Sequence, residues 1–128
     1  MSASIEVWLN EDCQVIEQRI SGALTAEQFQ ELDRRCTECA RRLRDPTQVR
    51  VLVDGTKLKW TDLKARRAAM EPFGRDEDWW LAIWGGDRIT RIMTGFMALA
   101  AGTKRIKMFA DRAGALEWLL QQTPLKTD

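Results

Sequence analysis

Two cysteines separated by two residues, Cys36 and Cys39, form the pattern in this chain that most directly suggests chemistry. Such a pair is activated for redox exchange when it lies at the amino end of a helix that follows a strand. Here it lies well inside a predicted helix, on the same face as Leu32 and Leu43, so we expect ordinary buried thiols. We reject a tetrahedral zinc site, because the chain has only one further cysteine, Cys13, and no histidine.

The absence of histidine bears on catalysis as well. It removes the commonest general base and the commonest metal ligand. Aspartate and lysine chemistry needs no histidine, but no nucleophile, base and oxyanion-stabilising group converge along the sequence. We therefore expect a protein that is not an enzyme and that uses no cofactor and no metal.

A glycine pair between a predicted strand and a predicted helix is a candidate anion site. Open α/β sheets commonly receive anionic ligands at such a junction through backbone N–H groups. The candidate residues are Gly85, Gly86, Arg88 and Arg91. Because Asp87 would repel phosphate and no Walker or dinucleotide glycine fingerprint is present, a tight turn followed by a helix cap is the favoured interpretation.

A second candidate site is a surface for a protein partner or a phosphorylation switch. Thr56 or Thr61 could accept a phosphate at a helix amino end, although turn and capping roles explain both positions. Basic side chains concentrate nearby and are soon followed by acidic ones, which suits a protein-contact face better than a phosphate track. The predicted surface comprises Thr56, Lys57, Lys59, Thr61 and Arg66.

A third candidate is an apolar pocket, since the chain contains six tryptophans and five methionines. Core packing explains most of these residues, but some could line a cavity between the third predicted helix and the sheet. The pocket residues are Trp60, Trp84, Met93, Phe96 and Met97. The ligand of such a pocket would be a small apolar or amphipathic molecule.

Length and composition restrict the class of protein. The 128 residues, 45% apolar and 30% charged, suit one folded domain. Twenty basic against 19 acidic residues create no long-range field toward nucleic acid or an acidic membrane. The chain begins with no signal-peptide pattern and has no membrane-spanning apolar run, and its odd cysteine count favours free thiols. We expect a cytoplasmic protein without membrane insertion.

The elements that position these sites follow from periodicity and caps. Alternating apolar residues around Val7, followed by Val15 to Ile20, predict an amino-terminal β-hairpin that Gly22 ends. A capping box at Thr25 begins a helix that we expect to reach Asp45-Pro46.

The remainder of the chain alternates predicted strands and helices. Strands are predicted at 49–53, ended by Asp54-Gly55, at 79–84 and at 106–109. Helices are predicted at 61–70, from Asp87 to Gly102, and from Asp111 to about Pro124. The order ββαβαβαβα predicts an α/β fold with a mostly parallel sheet, an N-terminal hairpin and packed helices.

Several segments together resemble the SpoIIAA-like branch of the STAS domains. They are Ile20-Ser21-Gly22 with Leu24-Thr25 and Phe29, then Val49 to Asp54, and Phe109-Ala110-Asp111 with Ala115 to Leu119. The resemblance implies a single STAS-like domain over residues 1–128, with 1–4 and 124–128 frayed, and a regulatory or protein-binding module. The best-known members are switched by a phosphorylated serine, but the comparable loop here, Asp54 to Leu63, lacks their Asp-Ser-Ser-Gly pattern.

Two functions remain open at this stage. The first is a regulatory module that binds a protein partner, with no nucleic acid involved. The second is a carrier or sensor of a small apolar ligand, which the resemblance of STAS to CRAL-TRIO lipid-binding folds favours. Exposed tryptophans could also support a homodimer.

Overall fold

The computed structural model describes residues 3–59, 79–86 and 105–122. In chain order the elements are β1 (Ser4–Asn10), β2 (Val15–Ala23), α1 (Ala26–Ala40), β3 (Val49–Lys59), β4 (Trp79–Trp84), β5 (Ile106–Phe109) and α2 (Arg112–Gln121). The predicted helices at 61–70 and from Asp87 to Gly102 lie outside these ranges. Neither described helix is long and apolar enough to cross a bilayer.

The five strands form one mixed sheet in the order β1-β2-β3-β4-β5. β1 is antiparallel to β2, and the other three pairs are parallel. The predicted amino-terminal hairpin and the mostly parallel sheet are therefore confirmed. Because the carboxyl ends of β2 to β5 lie at the same end of the sheet, residues that follow these strands are brought near one another.

Each face of the sheet has its own buried cluster, because successive strand residues point to opposite faces. In β3, Val51 and Val53 pack with Phe29, Leu32 and other residues of α1. Leu52, from the same strand, packs on the other face with Ala115 and Leu119 of α2. β3 is therefore covered on both faces, which suits its continuous apolar run from Val51 to Val53.

α1 begins as the capping box predicts. The Thr25 hydroxyl accepts the Gln28 N–H at 3.2 Å, and Gln28 Oε1 accepts the Thr25 N–H at 2.8 Å. The predicted end at Asp45-Pro46 is wrong, since the helix ends at Ala40. From there the chain continues with tighter i to i−3 hydrogen bonds, such as that from the Leu43 N–H to the Ala40 carbonyl at 3.2 Å. Leu43 is still buried in this conformation.

The predicted end of β3 at Val53 is also wrong. The strand continues through Asp54-Gly55 to Lys59, and β2 likewise continues through Gly22 to Ala23. The two extensions pair with each other, as in Ser21 opposite Lys57, so the hydrogen bonds of one support the other. Local turn residues therefore do not end either strand.

Side chains satisfy backbone groups at both ends of α2. Asp111 Oδ1 accepts the Gly114 N–H at 2.8 Å, which confirms the predicted cap. At the other end, Arg50 of β3 donates from Nε to the Leu119 carbonyl at 2.9 Å and to the Gln122 carbonyl at 3.1 Å. A guanidinium at this position satisfies carbonyls that the end of the helix leaves without partners.

Candidate functional site

A β-bulge in β3 is the main irregularity of the sheet. Arg19 of β2 pairs with Asp54, but Ser21 pairs with Lys57, so Gly55 and Thr56 together lie opposite the single residue Ile20. Gly55 suits this position, since an added Cβ would lie 3.0 Å from Ile83 Cγ2 and 3.3 Å from the Trp84 carbonyl oxygen. The bulge lies where β4 ends, because Trp84 is the last β4 residue paired with β3.

The bulge changes which residues of β3 face the α1 cluster. Before it, Val53 faces the α1 cluster and Asp54 faces the other way. After it, Leu58 packs into the α1 cluster at 5% exposure, while Lys57 and Lys59 are exposed. One inserted residue reverses a pattern whose period is two. The two lysines therefore lie on the sheet face that Asp54 occupies.

Asp54 is the centre of the polar contacts at the bulge. Its Oδ1 accepts the Thr56 N–H at 3.0 Å and the Thr56 hydroxyl at 2.7 Å. Its Oδ2 lies 3.4 Å from Arg19 Nε of β2. These contacts hold the bulge in one conformation and place a cation beside it.

Arg19 continues the polar row onto β1. Its Nη1 lies 3.7 Å from Glu6 Oε2, and its guanidinium carbon lies 5.6 Å from the centre of the Trp8 ring. Trp8 is 36% exposed, which is unusual for so large an apolar side chain. The structure thus joins a tryptophan, an arginine and two lysines on one face of β1, β2 and β3.

The sequence predicts Thr56, Lys57 and Lys59 in the loop that follows Asp54-Gly55, and this is wrong as far as Lys59. All three are exposed residues of β3, and Thr56 lies within the strand rather than at a helix amino end. The Asp54 carboxylate beside the Thr56 hydroxyl would oppose an added phosphate. Thr61 and Arg66 of the same predicted surface lie outside the described residues.

The glycine pair proposed as an anion site lies beside the bulge. Gly85 and Gly86 have φ angles of 78° and 81°, which suit glycine, and an added Cβ at Gly85 would lie 2.3 Å from Thr56 Cγ2. The Gly85 N–H donates to the Phe109 carbonyl at 3.2 Å, so it is already used within the fold. Arg88 and Arg91 lie outside the described residues, and the anion site stays a prediction.

Of the predicted apolar pocket, the structure describes Trp84 alone. Its half-buried side chain packs against the α2 cluster, as do Trp80 and Phe109. The ring of Trp118 contacts both Trp80 and Phe109, with its centre 6.1 Å from that of Trp80 and 5.7 Å from that of Phe109. Trp60, Met93, Phe96 and Met97 lie outside the described residues.

A separate groove of 380 Å³ lies at the other end of the sheet, where β3 and β4 begin. Asp33 of α1, Arg41 directly after α1, Pro46 and Trp79 contribute to its lining. No predicted site included it. Its lining residues come from three separated segments of the chain, so no single local pattern in the sequence indicates it.

Cys36 and Cys39 are buried thiols, as their spacing predicts. Cys36 is 1% exposed and Cys39 4%, and neither forms a disulfide. Burial raises the pKa of the Cys36 thiol to about 12, although Gln18 Nε2 donates to its sulfur at 3.3 Å and opposes that change. Burial and the nearby Glu17 also raise the pKa of Cys13. Within the described ranges, no three cysteine and acidic residues are grouped so as to hold a metal ion.

The mixed sheet with α1 on one face and α2 on the other defines an α/β fold. A model of the SpoIIAA-like family matches residues 15–120, and the chain belongs to that family. The chain is also similar to the crystal structure of an uncharacterised DUF3478-family protein with a SpoIIAA-like fold from Shewanella loihica PV-4. That likeness has a TM-score of 0.66 at 20% identity and covers 92% of this chain and 93% of the other. None of the curated proteins matches the chain.

Three residues of the polar row lie outside the sites predicted from the sequence, namely Trp8, Arg19 and Asp54 in its role beside Thr56. One feature of the sequence indicates the surface position of Trp8. In the alternation of β1, Trp8 shares the face of Glu6 and Asn10, opposite the apolar Ile5, Val7 and Leu9. This alternation places Trp8 on the polar face of the strand rather than in the core.

Proposed function

We propose that this SpoIIAA-like chain is a non-catalytic regulatory or interaction module that binds a protein partner. The proposed contact surface includes the exposed end of β3, namely Thr56, Lys57 and Lys59. Thr61 and Arg66 are assigned to the same surface from the sequence alone. The unpaired cysteines support the further proposal that the protein works in a reducing compartment such as the cytoplasm.

The single observation that carries the proposal is the bulge at Gly55 and Thr56. It keeps Leu58 in the core and leaves Lys57 and Lys59 exposed. Neither lysine forms an ion pair with any residue in the described ranges. Bulges commonly redirect side chains at functional positions, and exposed unpaired charges suit the recognition of a partner.

The experiment is partner capture by the purified chain from its own host. The variant carrying both Lys57→Glu and Lys59→Glu should lose the partner that the unchanged chain retains. Lys107→Glu is the matched control, since Lys107 is an exposed lysine on β5 at the opposite edge of the sheet. Equal capture by all three proteins contradicts this surface.

A carrier of a small apolar ligand is the second candidate, and one observation favours it. Trp84 and Phe109 pair across β4 and β5 at the carboxyl ends of these strands, and both stay partly exposed beside the α2 cluster. Ligands of open α/β sheets commonly bind at that end. Native mass spectrometry after gentle purification should then show a small-molecule mass that denaturation removes, and a bare chain mass counts against a carrier.

A further inference from the structure

We infer that the proposed partner contributes an acidic segment, and that Trp8 and Arg19 anchor this segment beside Lys57 and Lys59. This inference rests on the proposed function and extends it in two ways. It adds β1 and β2 to the contact surface, and it names the chemistry of the partner. The four residues are called the Trp8 surface below.

The sheet register places the Trp8 surface on one face. Arg19 lies opposite both Glu6 of β1 and Asp54 of β3, and Lys57 lies opposite Ser21, two residues beyond Arg19 on β2. Residues two apart on a strand point to the same face. The face is the one that carries α2 farther along the sheet, because Glu17, two residues before Arg19, contacts Arg112 of α2.

Trp8 and Arg19 are held in place before any partner binds. The guanidinium carbon lies over the indole, 5.6 Å from the ring centre, and the guanidinium contacts Glu6 at 3.7 Å and Asp54 at 3.4 Å. An oriented side chain loses less conformational entropy on binding. Tryptophan and arginine are also the residue types that most often dominate the energy of an interface.

The charges of this surface select the sign of the partner. Arg19 contacts both carboxylates, those of Glu6 and Asp54, so their charges are already matched in part. Lys57 and Lys59 have no such contact within the part of the chain that the structure describes. The surface therefore keeps an excess of positive charge, which an acidic segment complements.

The same charges disfavour a nucleic acid or an anionic membrane. Glu6 and Asp54 stand among the cations and would repel a continuous array of phosphates. The chain as a whole has a formal charge of +1, which adds no long-range attraction to such an array. A short acidic peptide can instead place its carboxylates on the lysines and an apolar side chain on Trp8.

The test is an NMR titration of the ¹⁵N-labelled full chain with a defined probe. The probe is a short glutamate peptide with one central leucine, and its counterpart with lysine in place of every glutamate is the matched control. The acidic peptide should shift the amides of residues 6–8, 19–21 and 57–59 and the Trp8 indole N–H, and added salt should weaken it. The basic peptide should shift none of them.

Variants then tie the binding to the named residues. Trp8→Ala and Lys57→Glu should each weaken binding of the acidic peptide by about tenfold or more, since about 1.4 kcal/mol corresponds to a factor of ten. Lys57→Arg should bind as the unchanged chain does, and Lys107→Glu supplies the same charge change outside the surface. Unchanged amide spectra away from the surface show that each variant is folded.

Three results overturn the inference. They are no response to the acidic peptide, equal affinity in Trp8→Ala, or stronger shifts with oligothymidylate or phosphatidylglycerol vesicles at the same amides. These failures differ from failure of the proposed function. If reversal of Lys57 and Lys59 abolishes partner capture while Trp8→Ala leaves it intact, the proposed function stands and the anchoring of the partner by Trp8 is refuted.

Discussion

The guanidinium of Arg112, the first residue of α2, holds both carboxylate oxygens of Glu17 in β2, with Nη2 at 2.9 Å from each. Asn10 of β1 donates to the same carboxylate at 2.9 Å. Glu17 is 9% exposed, so its charge depends on these partners rather than on water. The contact joins α2 to the strands beneath the Trp8 surface.

Removal of the Arg112 guanidinium should destabilise the fold. For Arg112→Met we expect a loss of about 1–2 kcal/mol in the free energy of unfolding, because a buried carboxylate loses its charged partner. This expected loss is small for an ion pair with a buried carboxylate, because the Arg112 side chain is 43% exposed and solvent screens the pair. Urea unfolding measures it. In a Glu17→Gln background, which keeps a partner for Asn10, the loss should shrink, and an equal loss in both backgrounds contradicts the coupling.

The other end of α2 should depend on Arg50. Replacement by methionine removes the donors to the Leu119 and Gln122 carbonyls and should cost about 1 kcal/mol. Arg50→Lys should lose part of this, since one ammonium cannot reach both acceptors as a planar fork does. Amide hydrogen exchange should accelerate at the end of α2, and Lys107→Met is the exposed control. Uniform acceleration across the whole sheet argues against a local role.

The close approach of Gly85 to Thr56 should make Gly85→Ala costly. The new Cβ would lie 2.3 Å from Thr56 Cγ2 at a backbone φ of 78°, and we expect a loss of about 2–4 kcal/mol from the contact and the left-handed conformation together. Thermal or urea unfolding measures the loss. Adding Thr56→Ser removes Cγ2, keeps the hydroxyl and should recover part of it. Thr56→Val keeps a branched side chain there and should recover none.

Thiol reactivity should separate Cys13 from the other two cysteines. In the folded protein, iodoacetamide should modify Cys13, which is partly exposed, and leave Cys36 and Cys39 unmodified. Peptide mass spectrometry before and after addition of urea measures this, and all three thiols should react after unfolding. Rapid modification of Cys36 in the folded chain would falsify the assignment of a buried structural thiol.

Stability should fall at high pH partly through Cys36. Its pKa is about 12 in the folded chain against an ordinary 9.0, so the unfolded chain releases this proton first as the pH rises. The contribution is complete below about pH 9 and is lost as the pH rises toward about 12, by at most about 1.4 kcal/mol per unit. Cys36→Ala should flatten this slope in urea unfolding measured at several pH values. An unchanged slope assigns the loss to other groups.

Local patterns predicted those elements whose causes are local. The capping box at Thr25 and Gln28 and the Asp111 cap depend on residues within one helical turn, and both are present. The buried faces of α1 followed from spacing alone, with Cys36 and Cys39 among them. The end of α1 was predicted too late, because Leu43 is buried for a reason that helical periodicity does not distinguish from a continued helix.

The candidate surface depended on pairings between distant segments. Asp54-Gly55 is a turn signal by composition, yet pairing of 57–59 with 21–23 keeps the chain extended there. Because strand side chains alternate with a period of two, the extra residue at the bulge moves Lys57 and Lys59 to the face of Arg19. No local pattern shows on which side of a sheet a strand resumes after such an insertion.

The sequence by itself determined the family, through the joint order of several segments, and it determined the described helix starts, the approximate strand positions and the buried thiols, since each of these depends on residues close along the chain. Only the tertiary structure decided that β3 continues past Gly55, that Arg19 of one strand lies between Glu6 and Asp54 of its neighbours, and that its guanidinium lies over the Trp8 ring. The physical reason is that hydrogen bonding between strands, which is satisfied only when the whole sheet assembles, outweighs the local preference of Asp54-Gly55 for a turn.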